Sequence, residues 1–217
     1  MNTHLFREIE SIKRKILSIS AIVEENVSKS VMALIERNTN YADEIIKSDE
    51  KVDQMEVALE EECLKVLALY QPVAIDLRFI VSVLKINNDL ERIGDLAVNI
   101  AKQAHRMASL TPVTIPDGIN LMVTNVQLML KISLDALIKM DPELAVDVCE
   151  RDQEVDDLHK KTFSYVEQQI KENPDQTSEM IHLVGISRYL ERIADHATNI
   201  AEDVIYMVEG EISRHST

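Results

Sequence analysis

Apolar positions along this chain recur in alternating steps of four and three. Leu5, Ile9, Ile12, Ile16, Ile19 and Val23 do so near the start. Val83, Ile86, Leu90, Ile93, Ala97, Ile100, Ala104 and Met107 repeat the pattern, and so do Ile186, Leu190, Ile193, Ala197, Ile200, Val204 and Met207. That spacing draws one apolar stripe along a helix and is the seam of helices packed at a shallow angle. A strand would need a period of two, which none of these segments has. The breaks between stripes are equally legible. Asn38-Thr39-Asn40 separates a first helix from a second. Pro72 is expected to open the third, at a position where a missing N–H costs little. Asp141 is a good N-cap ahead of Pro142, and Asn173-Pro174-Asp175 divides the last two helices. The run from Ser109 to Gly118 holds two prolines and a glycine and is the clearest linker. The expected fold is all-α, with six long helices in two three-helix bundles, residues 1–110 and 111–217.

A repeat supports that division. Residues 90–101, LERIGDLAVNIA, recur at 190–201 as LERIADHATNIA, with nine of twelve positions identical. A weaker copy relates Asp49-Glu50-Lys51-Val52-Asp53 to Asp152-Gln153-Glu154-Val155-Asp156 at an offset of 103 rather than 100. A duplicated half-molecule with a small length change accounts for both.

The repeated blocks carry the candidate chemistry. Asp49/Asp53, Glu91/Asp95, Asp152/Asp156 and Glu191/Asp195 each place two acids four residues apart, on one helix face, with Cβ atoms about 5–6 Å from each other. With Leu190 and Ile193 in the a and d positions of a heptad, Glu191, Asp195 and Asn199 fall outside the seam, and Glu91, Asp95 and Asn99 fall in the same classes. Folding helices two and three back at Pro72 brings Asp49/Asp53 level with Glu91/Asp95. Folding at Asn173-Pro174 does the same for Asp152/Asp156 and Glu191/Asp195. Each half would then gather four carboxylates at one height, with Asn99 or Asn199 nearby. Such an all-oxygen set suits Mg²⁺, Mn²⁺, Ca²⁺ or Fe, and His159 and His196 could add nitrogen to the second set. The plain alternative is a solvated acidic face. A di-iron centre buried in a bundle core needs inward carboxylates, which this phase does not give. Arg92 and Arg192, beside the motif glutamates, read as surface ion pairs.

Composition narrows the function classes. The net charge is −15, with 38 acidic residues, so nucleic acid and anionic membranes are poor partners. Cys63 and Cys149 stand far apart, as core or half-buried residues of a reducing compartment would. The first ten residues are too polar for a signal peptide, and no apolar run is expected to reach the ~20 residues that cross a bilayer. A soluble, cytoplasmic protein is expected. The four glycines stand alone, so no Gly-rich phosphate loop exists, and no Ser or Cys pairs with a His as a nucleophile would.

The stretch Leu69-Tyr70-Gln71-Pro72-Val73-Ala74-Ile75-Asp76-Leu77-Arg78, continuing through Leu84-Lys85-Ile86 to Asp89-Leu90-Glu91-Arg92-Ile93-Gly94-Asp95, resembles the PhoU family of phosphate-specific transport accessory proteins. The resemblance covers nearly the whole chain. Its second copy is looser, with Ile186-Ser187-Arg188-Tyr189 in place of Ile86-Asn87-Asn88-Asp89. It implies two pseudo-symmetric three-helix bundles, and the residues themselves offer no catalytic machinery. It also implies surface sites for iron or zinc at the four acidic motifs, and a homodimer. The implied role is repression of the phosphate starvation response and limitation of uptake, through contact with the ATPase of the phosphate ABC transporter and a phosphate-sensing histidine kinase. Two other readings stay open: a carboxylate-bridged metalloenzyme, and a metal-free helical interaction module.

Overall fold

The computed structural model describes residues 3–210, and among them all regular structure is helical. α1 (Thr3–Ile35), α2 (Thr39–Tyr70) and α3 (Ala74–Ala108) form one bundle. α4 (Asp117–Lys139), α5 (Pro142–Glu172) and α6 (Thr177–Glu209) form the other, with a 3₁₀ turn over Pro174–Gln176 ahead of α6. Residues 1–2 and 211–217, at the outer bounds of the two expected domains, lie outside the described residues. The apolar stripes fill the cores. Ile12, Ile16 and Ile19 of α1, Ile86, Leu90 and Ile93 of α3, and Ile186, Leu190 and Ile193 of α6 are all 2% exposed or less.

The helix ends follow local rules. Asn38 accepts from the Asn40 N–H at 3.1 Å, and Asp141 accepts from the Glu143 and Leu144 N–H groups at 3.0 and 3.3 Å, with Pro142 first in α5. Pro72 departs from the expectation. It lies in the turn, and α3 starts two residues later at Ala74. The reason is the exit from α2. Gln71 closes that helix in the left-handed conformation (φ 46), its N–H bonded to the Leu67 carbonyl at 3.2 Å, and a residue before proline is barred from continuing the right-handed helix. Ala74 is left-handed as well (φ 49). Both conformations are unfavourable for residues with a Cβ.

α4 corrects a second expectation. Over Asp117–Lys139 it is long and apolar enough to cross a membrane, with a mean hydropathy of 1.4. Half of that window is buried inside the fold, where Met122, Val126, Met129 and Leu130 pack into the second bundle. Its composition is that of a core helix.

The two bundles meet mainly along α3 and α6, with α1 against α4 beside them. Lys85 Nζ donates to Asp203 Oδ1 at 2.8 Å, Asn199 Nδ2 donates to Asp89 Oδ1 at 3.3 Å, Gly185 faces Gln103 and Gly210 faces Arg78. These pairs fix an antiparallel register centred on Gly94 and Ala194, which are equivalent positions of the repeat. The seam is therefore a pseudo-two-fold joining two copies of one unit. Arg37 anchors the linker. Its guanidinium donates to the carbonyls of Met107, Ala108 and Leu110 at 2.7–3.0 Å, placing a positive charge at the C-terminus of α3, where the helix dipole favours it.

Gly94 itself supplies a prediction. A Cβ there would meet Val52 Cγ1 at 3.6 Å, an ordinary contact, and the second half already has Ala194. Gly94→Ala should stabilise the protein by about 0.5–1 kcal/mol, a rise of roughly 1–4 °C in a thermal melt followed by circular dichroism. A lower melting temperature would show that Val52 cannot accommodate the methyl group.

Candidate cation sites

The four acidic motifs are paired across helices in the expected register. Asp49 is acted on by the charges of Asp53 and Asp95, and Glu91 by those of Asp95, Asp53 and Glu56. In the second half Asp152 is acted on by Asp195 and Asp156, and Glu191 by Asp156 and Asp152. Val52, between the two α2 acids, packs against Gly94. The hairpin turns thus bring acids 35–46 residues apart to one level, twice.

The acids are less outward than the heptad phase predicts. The Glu91 side chain is 22% exposed against 45% for Asp95, because α2 packs beside α3 and covers the b position. Burial comes first in raising the carboxyls of Asp49, Glu91, Asp152, Glu191 and Asp195 above the ordinary carboxylate range, and repulsion from the neighbouring acids adds to it. Few cations answer these acids. Arg92 reaches Glu91 at 3.3 Å and Asp95 at 3.5 Å, and Lys160 reaches Asp156 at 3.8 Å. Both bases are exposed, so each pair contributes little.

Among the described residues, no three His, Cys, Asp or Glu side chains stand close enough to hold one ion. Gathering them would take side-chain rotation, since the motif spacing already brings the Cβ atoms together. One buried atom fits a cation at the first set. Asn87 is 1% exposed, and its Nδ2 donates to the Glu56 carbonyl at 2.9 Å and lies 3.4 Å from the Glu56 carboxylate. Two acceptors on that side fix the amide orientation. Asn87 Oδ1 is left with no hydrogen-bond partner among the described residues, an oxygen donor beside the acidic groove. The donor set as a whole, carboxylates and amide oxygens, suits a hard divalent ion.

The asparagines and histidines divide differently. Asn99 is half-buried on α3. Asn199 turns away from its own half and bonds Asp89 across the seam, and His196 Nδ1 lies 2.8 Å from the same Asp89 oxygen. Asp152 is met instead by Thr198, whose hydroxyl donates to it at 3.4 Å. His159 Nδ1 lies 2.7 Å from Ser187 Oγ, and burial pushes its imidazole below the usual histidine range. Asp89 is 7% exposed and Asp203 3%. Neither falls in a repeated motif, and nothing local marks them. A cleft of about 680 Å³ opens beside this part of the seam, lined by Lys85, Asp89, Asn199, Glu202 and Asp203 among others. The cysteines offer no thiolate. Burial pushes the thiol of Cys63 up to about 12 and that of Cys149 up to about 11.

The profile of the PhoU domain matches this chain twice, over residues 16–104 and 119–204. A phosphate-specific transport system accessory protein PhoU homolog of Aquifex aeolicus is 40% identical over 211 residues, spanning 97% of this chain and 96% of its own length. A protein of the same description from Pseudomonas aeruginosa is 36% identical, spanning 96% of this chain and 86% of its own. The crystal structure of PhoU from Pseudomonas aeruginosa superimposes with a TM-score of 0.91 at 36% identity, covering 94% of this chain and 99% of that one. That of the phosphate transport system regulatory protein PhoU from Streptococcus pneumoniae gives 0.85 at 27% identity, covering 96% and 98%.

Proposed function

Because this chain belongs to the PhoU domain family, we propose that it is a cytoplasmic negative regulator of phosphate uptake and of the phosphate starvation response. In this reading it has no turnover of its own. It acts as an adaptor that touches both the ATPase of the phosphate ABC transporter and a sensor histidine kinase, and it works as a homodimer that meets the membrane only through those partners. The observation that carries the reading is the full-length likeness to accessory proteins of phosphate transport, which extends over both halves. The strong negative charge agrees with protein rather than nucleic-acid partners.

Metal ions are the second part of the proposal. Asp49, Asp53, Glu91, Asp95 and Asn99 would hold one set, and Asp152, Asp156, Glu191 and Asp195 the other. Iron or zinc follows from the family, and Mg²⁺, Mn²⁺ or Ca²⁺ suits the carboxylates. A bound cation would neutralise the crowded acids and give each bundle a charge state that a partner could read. The metalloenzyme alternative is weaker, because Asp95 and Asp195 keep part of their surface in water and a groove reached by water does not sequester a reaction.

A clean deletion should leave phosphate-responsive genes active in phosphate-rich medium, and the wild-type gene should restore repression. Normal repression in the deletion strain would refute the regulatory role.

A further inference from the structure

The two halves share one plan but reverse direction differently. In the second half the chain passes from α5 to α6 through residues 173–176. Pro174 is the one apolar residue of that turn, no residue in it is left-handed, and the Thr177 hydroxyl donates to the Pro174 carbonyl at 2.6 Å. In the first half the same reversal has Gln71 and Ala74 both left-handed, two of the four such non-glycine residues among those described. Val73 at its apex is 74% exposed, and Leu69, Ile75 and Leu77 beside it are exposed as well. Phe6 joins them. Lys13 of α1 lies over the Phe79 ring of α3, and seven residues earlier along each, the exposed Phe6 is level with Pro72. A reversal needs none of this, since the second half manages without it.

We propose that the α2–α3 tip is a docking knob, which enters an apolar pocket rimmed with basic side chains on a partner protein. This rests on the reading that the chain is an adaptor. Relatives are described as accessory to a phosphate-specific transport system, so the partner to test is the ATPase subunit of the transporter.

Apolar side chains gathered on an exposed surface mark a contact site, and a few buried anchors carry most of the energy of such a contact. The left-handed residues, unfavourable for side chains with a Cβ, set the shape of the tip before the partner arrives. Less freedom is then lost on binding, and strained backbone of this kind gathers at functional sites. The basic rim follows from charge. α2 beneath the tip has nine acids against three lysines, and Glu60 and Glu61 on it are exposed. A basic surface is drawn to that charge and an acidic one is repelled. The same charge argues against two other occupants. A second copy meeting tip to tip would bring two such helices together, and an anionic bilayer would repel them. A bilayer also gains nothing from a tip of fixed shape.

The test titrates the purified full-length protein with the purified ATPase subunit by calorimetry. The double variant Val73→Ser, Ile75→Ser changes exposed positions only, so its melting temperature should match the wild type. Its affinity for the ATPase subunit should fall about ten-fold or more. Asp175→Ser, at the corresponding place in the second turn, should bind as the wild type does. Added salt should weaken the wild-type complex by screening the rim, and a complex indifferent to salt would overturn the partner chemistry. Unchanged affinity in the double variant would overturn the proposal and leave the adaptor reading standing. So would a dimer that dissociates in the double variant by light scattering, which would give the tip to a second copy. Wild-type binding to vesicles of phosphatidylcholine and phosphatidylglycerol that the double variant lacks would give it to lipid, with the same consequence. A wild type that does not bind the ATPase subunit would overturn the proposal, and if the cytoplasmic part of the kinase is not bound either, the adaptor reading falls with it.

Discussion

Ile193→Ala is expected to lower the stability of the protein by about 2–5 kcal/mol, the range for removing a large aliphatic side chain from a packed core. Ile193 is fully buried in α6, and three methyl or methylene groups would leave a void that the surrounding helices can close only in part. The equivalent Ile93 of α3 is also fully buried, so Ile93→Ala should cost a similar amount. Against a typical total of roughly 5–15 kcal/mol either loss is severe, and a melt should fall by about 4–20 °C at 2–4 °C per kcal/mol. Urea titration of each variant beside the wild type gives the measurement. The double variant adds a second reading. Ile93 and Ile193 sit one residue from the centre of the seam, in different bundles joined by α3 and α6. Coupling between the two losses would show that the halves unfold as one unit, and simple additivity would show that each core fails alone.

The second large effect should come from the acidic motifs. With Asp49, Glu91, Asp152 and Glu191 all changed to their amides, stoichiometric metal in protein purified without chelator or nickel affinity should be lost, as read by elemental analysis. In the wild type, saturating divalent cation at about 100 times its Kd should add about 2.7 kcal/mol for each site, a gain absent from the amide variant. Metal content or cation-dependent stability that survived in the variant would remove these carboxylates from the site.

The metal-free proteins should differ in the opposite sense. The folded carboxyls are raised above their unfolded values, chiefly by burial and then by neighbouring acids. Between the ordinary carboxylate value and the raised folded value, the folded state holds protons that the unfolded chain has released. Stability therefore falls as pH rises through that window and recovers as pH is lowered toward the ordinary carboxylate value. The amide variant should melt higher than the metal-free wild type at pH 7 and lose that advantage on mild acidification. A wild type whose melting temperature stays flat as pH is lowered from 7 to the ordinary carboxylate value would show that the acids are too well solvated to repel.

Helix type, the duplicated half and the level of the acids could all be read from the chain, because each depends on local period or on chain geometry. A stripe such as Val83, Ile86, Leu90 and Ile93 has one spacing that fits a helix. Two helices joined by a short turn can be matched residue for residue, which is why folding at Pro72 sets Asp53 beside Glu91. The turn itself is less legible. Proline favours the first helical position, but here the left-handed exit at Gln71 takes up the reversal first, and α3 waits until Ala74. In α4 the apolar content of a core helix is masked in the sequence because its polar residues interrupt every run.

What only the tertiary structure decided lies where the halves meet. The bonds from Lys85 to Asp203 and from Asn199 to Asp89, and the contact of His196 with Asp89, join residues more than 100 positions apart. No turn links them, and the repeat misleads, since the positions equivalent to Asp89 and Asp203 are Tyr189 and Gln103. The burial of Glu91 also needed α2 in place beside it. Sequence fixes contacts that a short turn or a helical period enforces. The docking of two bundles is set by the shape and polarity of whole faces, and only the assembled fold reveals which side chains that docking pairs.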